Sequence, residues 1–92
     1  MAHRTWERTG AERRAEAYQE AREALLLGQQ VYSRRVELGL SQAELAERAG
    51  MTQPQVSRLE TGGVTPTLAL LRRLAGALDA ELSVVFKPHA AA

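Results

Sequence analysis

Residues 42–62 read QAELAERAGMTQPQVSRLETG, and the punctuation of this stretch decides the fold. Ser41 followed by Glu44 makes a capping box, which predicts a helix that starts at Gln42 and stops at Gly50. Thr52 caps a second helix from Gln53 to about Thr61, and Gly62-Gly63 closes it. Gly50 supplies the positive φ that a sharp turn between them needs. Ala46 is small where the two helices cross, and Leu45, Val56 and Leu59 then face one another inside the corner. With those positions fixed, Gln53, Pro54, Gln55, Ser57 and Arg58 stay on the outer face of the second helix.

Outward from this corner the chain falls into three segments. A helix precedes it from Gln29 to Leu38, stopped by Gly39. Another follows, with Thr65 as its cap, Pro66 at its first position, and Leu68, Leu71, Leu74, Ala75 and Leu78 in one stripe. Residues 29–79 are thus expected to form one domain of four short helices. Residues 1–28 are charged and Ala-rich. Thr9 and Glu12 fit a capping box there, with a helix from Ala11 to Leu27 behind it. Ala11, Ala15, Tyr18 and Leu25 share one face, interrupted by Arg22, and Glu12, Glu16, Glu20 and Glu23 share another. Like charges four apart weaken an isolated helix. In residues 80–92 the period changes to two: Leu82, Val84 and Phe86 alternate with Ser83, Val85 and Lys87, and Pro88 ends the run. A lone apolar strand on a helical domain has no internal partner, which predicts pairing with a second copy. The fold class is therefore all-α, with a helical N-terminal extension and a short C-terminal β-strand.

Composition removes most other functions. The chain has 92 residues, 12 Lys+Arg against 11 Asp+Glu, and no Cys. That length suits one small domain with an appendage. The lack of Cys excludes disulfide scaffolds and thiolate metal sites and suggests a cytoplasmic home. No apolar run is long enough for a membrane span, and the start lacks the apolar core of a signal peptide. All but one of the 12 basic residues are Arg, and Ile and Asn are absent, which reads as coding bias. Catalysis finds no support, so the chain is read as a non-enzyme without cofactor or metal. Its two histidines, His3 and His89, stand near opposite ends, and no nucleophilic triad, phosphate loop or carboxylate pair can be assembled.

A net charge of +1 cannot by itself attract nucleic acid, so such an interaction must come from arrangement. The outer face of the Gln53 helix has one. Gln and Arg are the side chains that pair bidentately with adenine and guanine edges in the major groove. Ser41 and Gln42, at the start of the preceding helix, are placed for phosphate oxygens, which helix N-termini attract. A plain helical hairpin with a solvated polar face is the competing reading. Ala46, Gly50, Val56 and Leu59 at their spacings favour DNA binding.

GLSQAELAERAGMTQPQVSRLETG, followed by TPTLALLRRLAGAL, closely resembles the Xre/Cro-type helix-turn-helix repressors related to the phage lambda repressor. The resemblance covers residues 29–79. It implies a lambda-repressor-like fold in which Gln42 braces Gln53 and both contact DNA. The implied base readers are Gln53, Gln55 and Ser57, with Arg58 on a base or a phosphate, and Ser41 and Thr52 complete the DNA-binding set. One departure stands out. Arg34 occupies a position where this family usually has Leu, so it must snorkel or find a partner.

The flanks resemble those of antitoxins. AELSVVF after the last helix resembles the C-terminal strand of HipB-like and HigA-like antitoxins, which in HipB-like proteins pairs with its copy in a second protomer. The resemblance implies a homodimer through Leu82, Val84 and Phe86 on an inverted-repeat operator, the alternative being a strand that folds back on its own domain. The N-terminal extension resembles that of HigA-type antitoxins, which implies a RelE/HigB-like ribonuclease toxin as partner. The acidic row Glu12, Glu16, Glu20 and Glu23 suits a basic RNA-cleaving surface, with Trp6, Tyr18 and Leu25 as anchors unless these dock on the chain's own core. The resulting expectation is a repressor-antitoxin that neutralises its toxin and represses its own operon. The alternatives are a stand-alone regulator and a protein-binding adaptor that no longer reads DNA.

Overall fold

A computed structural model describes residues 9–90 and places four helices in them: α1 Gly10–Glu37, α2 Gln42–Ala49, α3 Gln53–Glu60 and α4 Leu68–Ala77. The caps around the corner form as the sequence predicts. The Ser41 hydroxyl accepts from the Glu44 N–H at 3.0 Å while the Glu44 carboxylate accepts from the Ser41 N–H at 2.9 Å. Thr52 and Gln55 exchange the same pair of bonds at the start of α3. Gly50 takes the left-handed conformation at φ 68 between the two helices. Such caps contribute about 0.5–2 kcal/mol each. Leu45, Leu59, Leu74 and Val56 are the largest fully buried side chains, and each contributes about 1.5–3 kcal/mol by burial. Packing holds the corner together, and the caps set its boundaries.

The core lies between α2, α3, α4 and the C-terminal half of α1. Val31, Leu45, Ala46, Ala49, Val56, Leu59, Leu74 and Leu78 form it, with Leu38, Met51, Val64, Leu70 and Leu71 packed around. Ala46 is buried where α2 meets α3, the position the sequence marked for a small side chain.

Three features differ from the sequence reading. First, the extension and the first domain helix are one element, since α1 runs through Gly28 without a break. Gly28 is buried, and a side chain there would meet the Leu59 carbonyl oxygen and lie 2.6 Å from that of Glu60. Its role is close approach of α1 to the end of α3, not helix termination. Second, α4 starts two residues later than expected. Thr67, not Thr65, is its cap, accepting from the Leu70 N–H at 3.1 Å, and Pro66 precedes the helix. Third, residues 80–90 form neither strand nor helix in the single chain. A strand needs a neighbour to satisfy its backbone groups, and one chain offers none here.

The N-terminal half of α1 stands away from the domain. Every residue from Ala11 to Glu23 is exposed, and Ala24 is the first buried one. The particle measures 54 × 27 × 25 Å with a radius of gyration of 16.7 Å, against about 12 Å for a compact chain of this size. Among the described residues, no helix is long and apolar enough to cross a membrane.

Candidate nucleic-acid interface

The exposed face of α3 is held by a chain of hydrogen bonds that starts in the interior. Arg35, on α1, donates from Nε to Glu60 Oε2 at 2.6 Å and from Nη2 to Glu60 Oε1 at 3.0 Å. Its Nη1 donates to the Leu40 carbonyl at 2.8 Å, and its guanidinium lies 5.3 Å from the Tyr32 ring centroid. The pair is desolvated, with side-chain exposures of 11% for Arg35 and 4% for Glu60. The hydrogen bond to Glu60 pushes the Arg35 pKa up from its already high value. Glu60 Oε1 also accepts from Gln42 Nε2 at 3.0 Å, and Gln42 Oε1 accepts from Gln53 Nε2 at 2.6 Å. A buried ion pair thus fixes Gln42, and Gln42 fixes Gln53.

That relay leaves Gln53 chemically poised. Its Nε2 has a second hydrogen to donate, and among the described residues its Oε1 accepts no bond from another protein group. One donor and one acceptor side by side are what an adenine edge requires. Gln53, Gln55 and Arg58 are exposed and Ser57 is half-buried, while Val56, Leu59 and Glu60 face inward. The outer face of α3 is therefore the expected set, presented by one short helix at the tip of the corner. Ser41 and Thr52 spend their hydroxyls on the caps of α2 and α3. Their exposed helix N-termini carry the partial positive charge that favours phosphate. The Ser41 N–H also holds the Glu44 carboxyl below its ordinary pKa.

Arg35 and Glu60 escaped the sequence reading, although a signal existed. Arg35 lies four residues after Val31 and three before Leu38, on the apolar stripe of α1. Glu60 lies four after Val56. A charge on an apolar stripe in each of two helices points to an ion pair between them. Arg34, singled out instead, finds its partners at the end of α4, where its Nε donates to the Leu78 carbonyl at 2.9 Å.

The other expected sites are less assembled. Trp6 lies outside the described residues. Glu12, Glu16, Glu20 and Glu23 are exposed on the projecting half of α1, and Glu12 also closes the capping box with Thr9. Tyr18 is 71% exposed and does not dock on the chain's own core. Leu25 is 45% exposed, with its backbone 3.0 Å from where a side chain on Gly62 would begin. Leu82 is half-buried against its own domain, whereas Val84 and Phe86 are exposed. Among the described residues, no group of three or more acidic or His side chains is placed to hold a metal ion.

Comparison with known proteins agrees with this geometry. A family model described as helix-turn-helix matches residues 31–85. An uncharacterized HTH-type transcriptional regulator of Methanothermobacter thermautotrophicus is 51% identical over 47 residues, which cover 51% of this chain and 68% of that protein. Antitoxin HigA1 of Mycobacterium tuberculosis is 41% identical over 69 residues, 75% of this chain. The chain spans only 46% of that antitoxin's length. The crystal structure of the restriction-modification controller protein C.AhdI from Aeromonas hydrophila aligns with a TM-score of 0.65 at 32% identity, covering 67% of this chain and 90% of that one.

Proposed function

Since the chain belongs to the helix-turn-helix family of DNA-binding transcriptional regulators, we propose that it is a cytoplasmic, homodimeric repressor that also serves as the antitoxin of a HigB/HigA-like pair. In this reading Gln53 and Gln55 read bases in the major groove, with Ser57 and Arg58 beside them. Ser41, Gln42 and Thr52 sit at the phosphates on either side. Val84 and Phe86 pair with the same segment of a second copy, which places two recognition helices on an inverted repeat about 34 Å apart. Leu82 belongs to the same segment but supports it from the domain side.

The observation that carries the DNA-reading half is the Gln42–Gln53 bond of 2.6 Å, anchored on a buried ion pair. A solvated surface has no need of such bracing. The antitoxin half is supported by the free-standing half of α1. An isolated helix of this length is marginal in water, and it presents Tyr18 beside an acidic row. The similarity to HigA1 over 69 residues supports the same half. A stand-alone regulator is the second reading, favoured by the similarity to an HTH-type regulator of no assigned partner.

A protection assay that compares the parent chain with Tyr18→Asp separates the two. The position is exposed, so the variant should fold and bind the operator as the original does. It should fail to protect cells that express a RelE/HigB-like toxin which the parent neutralises, whereas Gln53→Ala/Gln55→Ala should protect them without repressing. Failure of the parent chain itself to protect favours the stand-alone regulator, whereas full protection by Tyr18→Asp removes Tyr18 from the toxin-binding surface.

A further inference from the structure

The last turn of α4 is closed by an arginine from another helix. Arg34 donates from Nε to the Leu78 carbonyl at 2.9 Å and from Nη2 to the Asp79 carbonyl at 3.0 Å. Its Nη1 donates to Glu37 Oε1 at 2.5 Å, which sets the plane of the guanidinium. One rigid fork thus holds two successive carbonyls. The backbone there is already tightly wound. Asp79 is left-handed at φ 49, its N–H donates to the Gly76 carbonyl at 3.2 Å, and the Ala80 N–H donates to the Ala75 carbonyl at 2.9 Å. These are the two bonds of a Schellman closure, made here with Asp in the place that Gly usually takes.

Beyond this point the chain changes character within a few residues. Leu82 is half-buried and, with Val31, Leu71 and Leu78, lines a groove of about 150 Å³ between α1 and α4. Val84, Val85 and Phe86 then face solvent, Phe86 at 96% exposure. The tail therefore has a root fixed at residues 78–82 and a free apolar end at 84–86. An aliphatic side chain at position 34 would fill the same groove. Only a guanidinium also holds the exit angle.

We propose that Arg34 is a positioning residue for DNA recognition. By clamping the root of the tail it fixes the angle at which residues 84–86 meet those of a second copy, and with it the separation of the two recognition faces. The inference rests on the reading of residues 84–86 as the pairing segment. In a two-fold dimer both roots carry the same error, so a change of angle acts twice. DNA makes that change measurable, because inserting one base pair moves a half-site by about 3.4 Å and rotates it by roughly 35°.

The test uses the full chain, its Arg34→Leu and Arg34→Gln variants, and operators whose half-sites are moved apart or together by one and two base pairs. Sedimentation and circular dichroism report assembly and folding. The parent should be a dimer that prefers one spacing at least ten-fold over its neighbours. Arg34→Leu should remain helical and dimeric, with single half-site affinity within two-fold of the parent, and its spacing preference should fall to three-fold or less. Arg34→Gln, which reaches one carbonyl instead of two, should fall between, and it carries the test if Arg34→Leu does not fold. A dimeric variant with the parent's sharp spacing preference overturns the role of Arg34 alone. A parent that stays monomeric at micromolar concentration overturns the pairing reading, and this inference with it.

Discussion

Replacing Glu60 by Ala tests the relay at its centre. The change removes the acceptor of two Arg35 bonds and one Gln42 bond and leaves a guanidinium with 11% exposure beside an empty site. Removing one member of a buried pair costs about 3–5 kcal/mol, against a total near 5–14 kcal/mol for a domain of this size. For so small a domain each kcal/mol moves Tm by about 4–8 °C, so Glu60→Ala should melt at least ~12 °C lower. The informative comparison is Arg35→Met/Glu60→Leu. Swapping both partners for apolar side chains of similar size is commonly neutral or stabilising, so this variant should recover most of the lost Tm. It should not recover DNA binding, because Gln42 no longer has an anchor and Gln53 loses its brace. Calorimetry gives the first quantity and fluorescence anisotropy on the operator the second. A double variant with parental operator affinity would refute the relay, whatever its Tm.

Three further outcomes follow from the same geometry. Gly28→Ala puts a methyl group against the Leu59 and Glu60 carbonyls and should cost about 1–3 kcal/mol by overpacking, read by urea denaturation. Phe86→Asp should leave the circular dichroism spectrum unchanged, since the side chain is exposed, yet give a monomer in light scattering if the tail pairs. The lowered pKa of Glu44 makes its share of stability fully present above the ordinary carboxylate value near 4.5, and this share is lost as pH falls through the lower folded value. Glu44→Gln should therefore flatten the acid limb of a pH-stability curve and leave its slope near neutral pH unchanged.

The corner and its caps were legible because each is a local event. Ser41 with Glu44, Thr52 as a cap, and Gly50 between them act within four residues, and such signals survive in a bare string of letters. The recognition face followed from them by elimination. What the sequence concealed is long-range. Arg35 and Glu60 are 25 positions apart, and nothing local says that two charges on apolar stripes will meet. The boundary placed between Leu27 and Gln29 failed for the same reason. Between two helical runs a glycine resembles a stop, and only the approach of α3 reveals that it is a point of contact. The cap of α4 failed on competition, since Thr65 and Thr67 both precede the leucine stripe and either hydroxyl suits a helix start. The tail alternates like a strand, but alternation describes what a segment is able to pair with, and pairing requires a second chain.

The unbroken course of α1 makes the protein sensitive to phase as well as to composition. Tyr18 and Arg35 ride on the same rigid rod, about 25 Å apart at 1.5 Å per residue. Each residue advances the rod by roughly 100°, so inserting one amino acid between Ala21 and Ala24 would swing Tyr18 and the acidic row a quarter-turn or more around the axis while the DNA-binding end stayed in place. Inserting seven would return them almost to their original bearing, displaced by about 10 Å. A flexible linker would tolerate every length alike. Here only lengths near whole numbers of turns keep the bearing, so a series of insertions would trace a periodic response in partner binding with operator binding flat throughout.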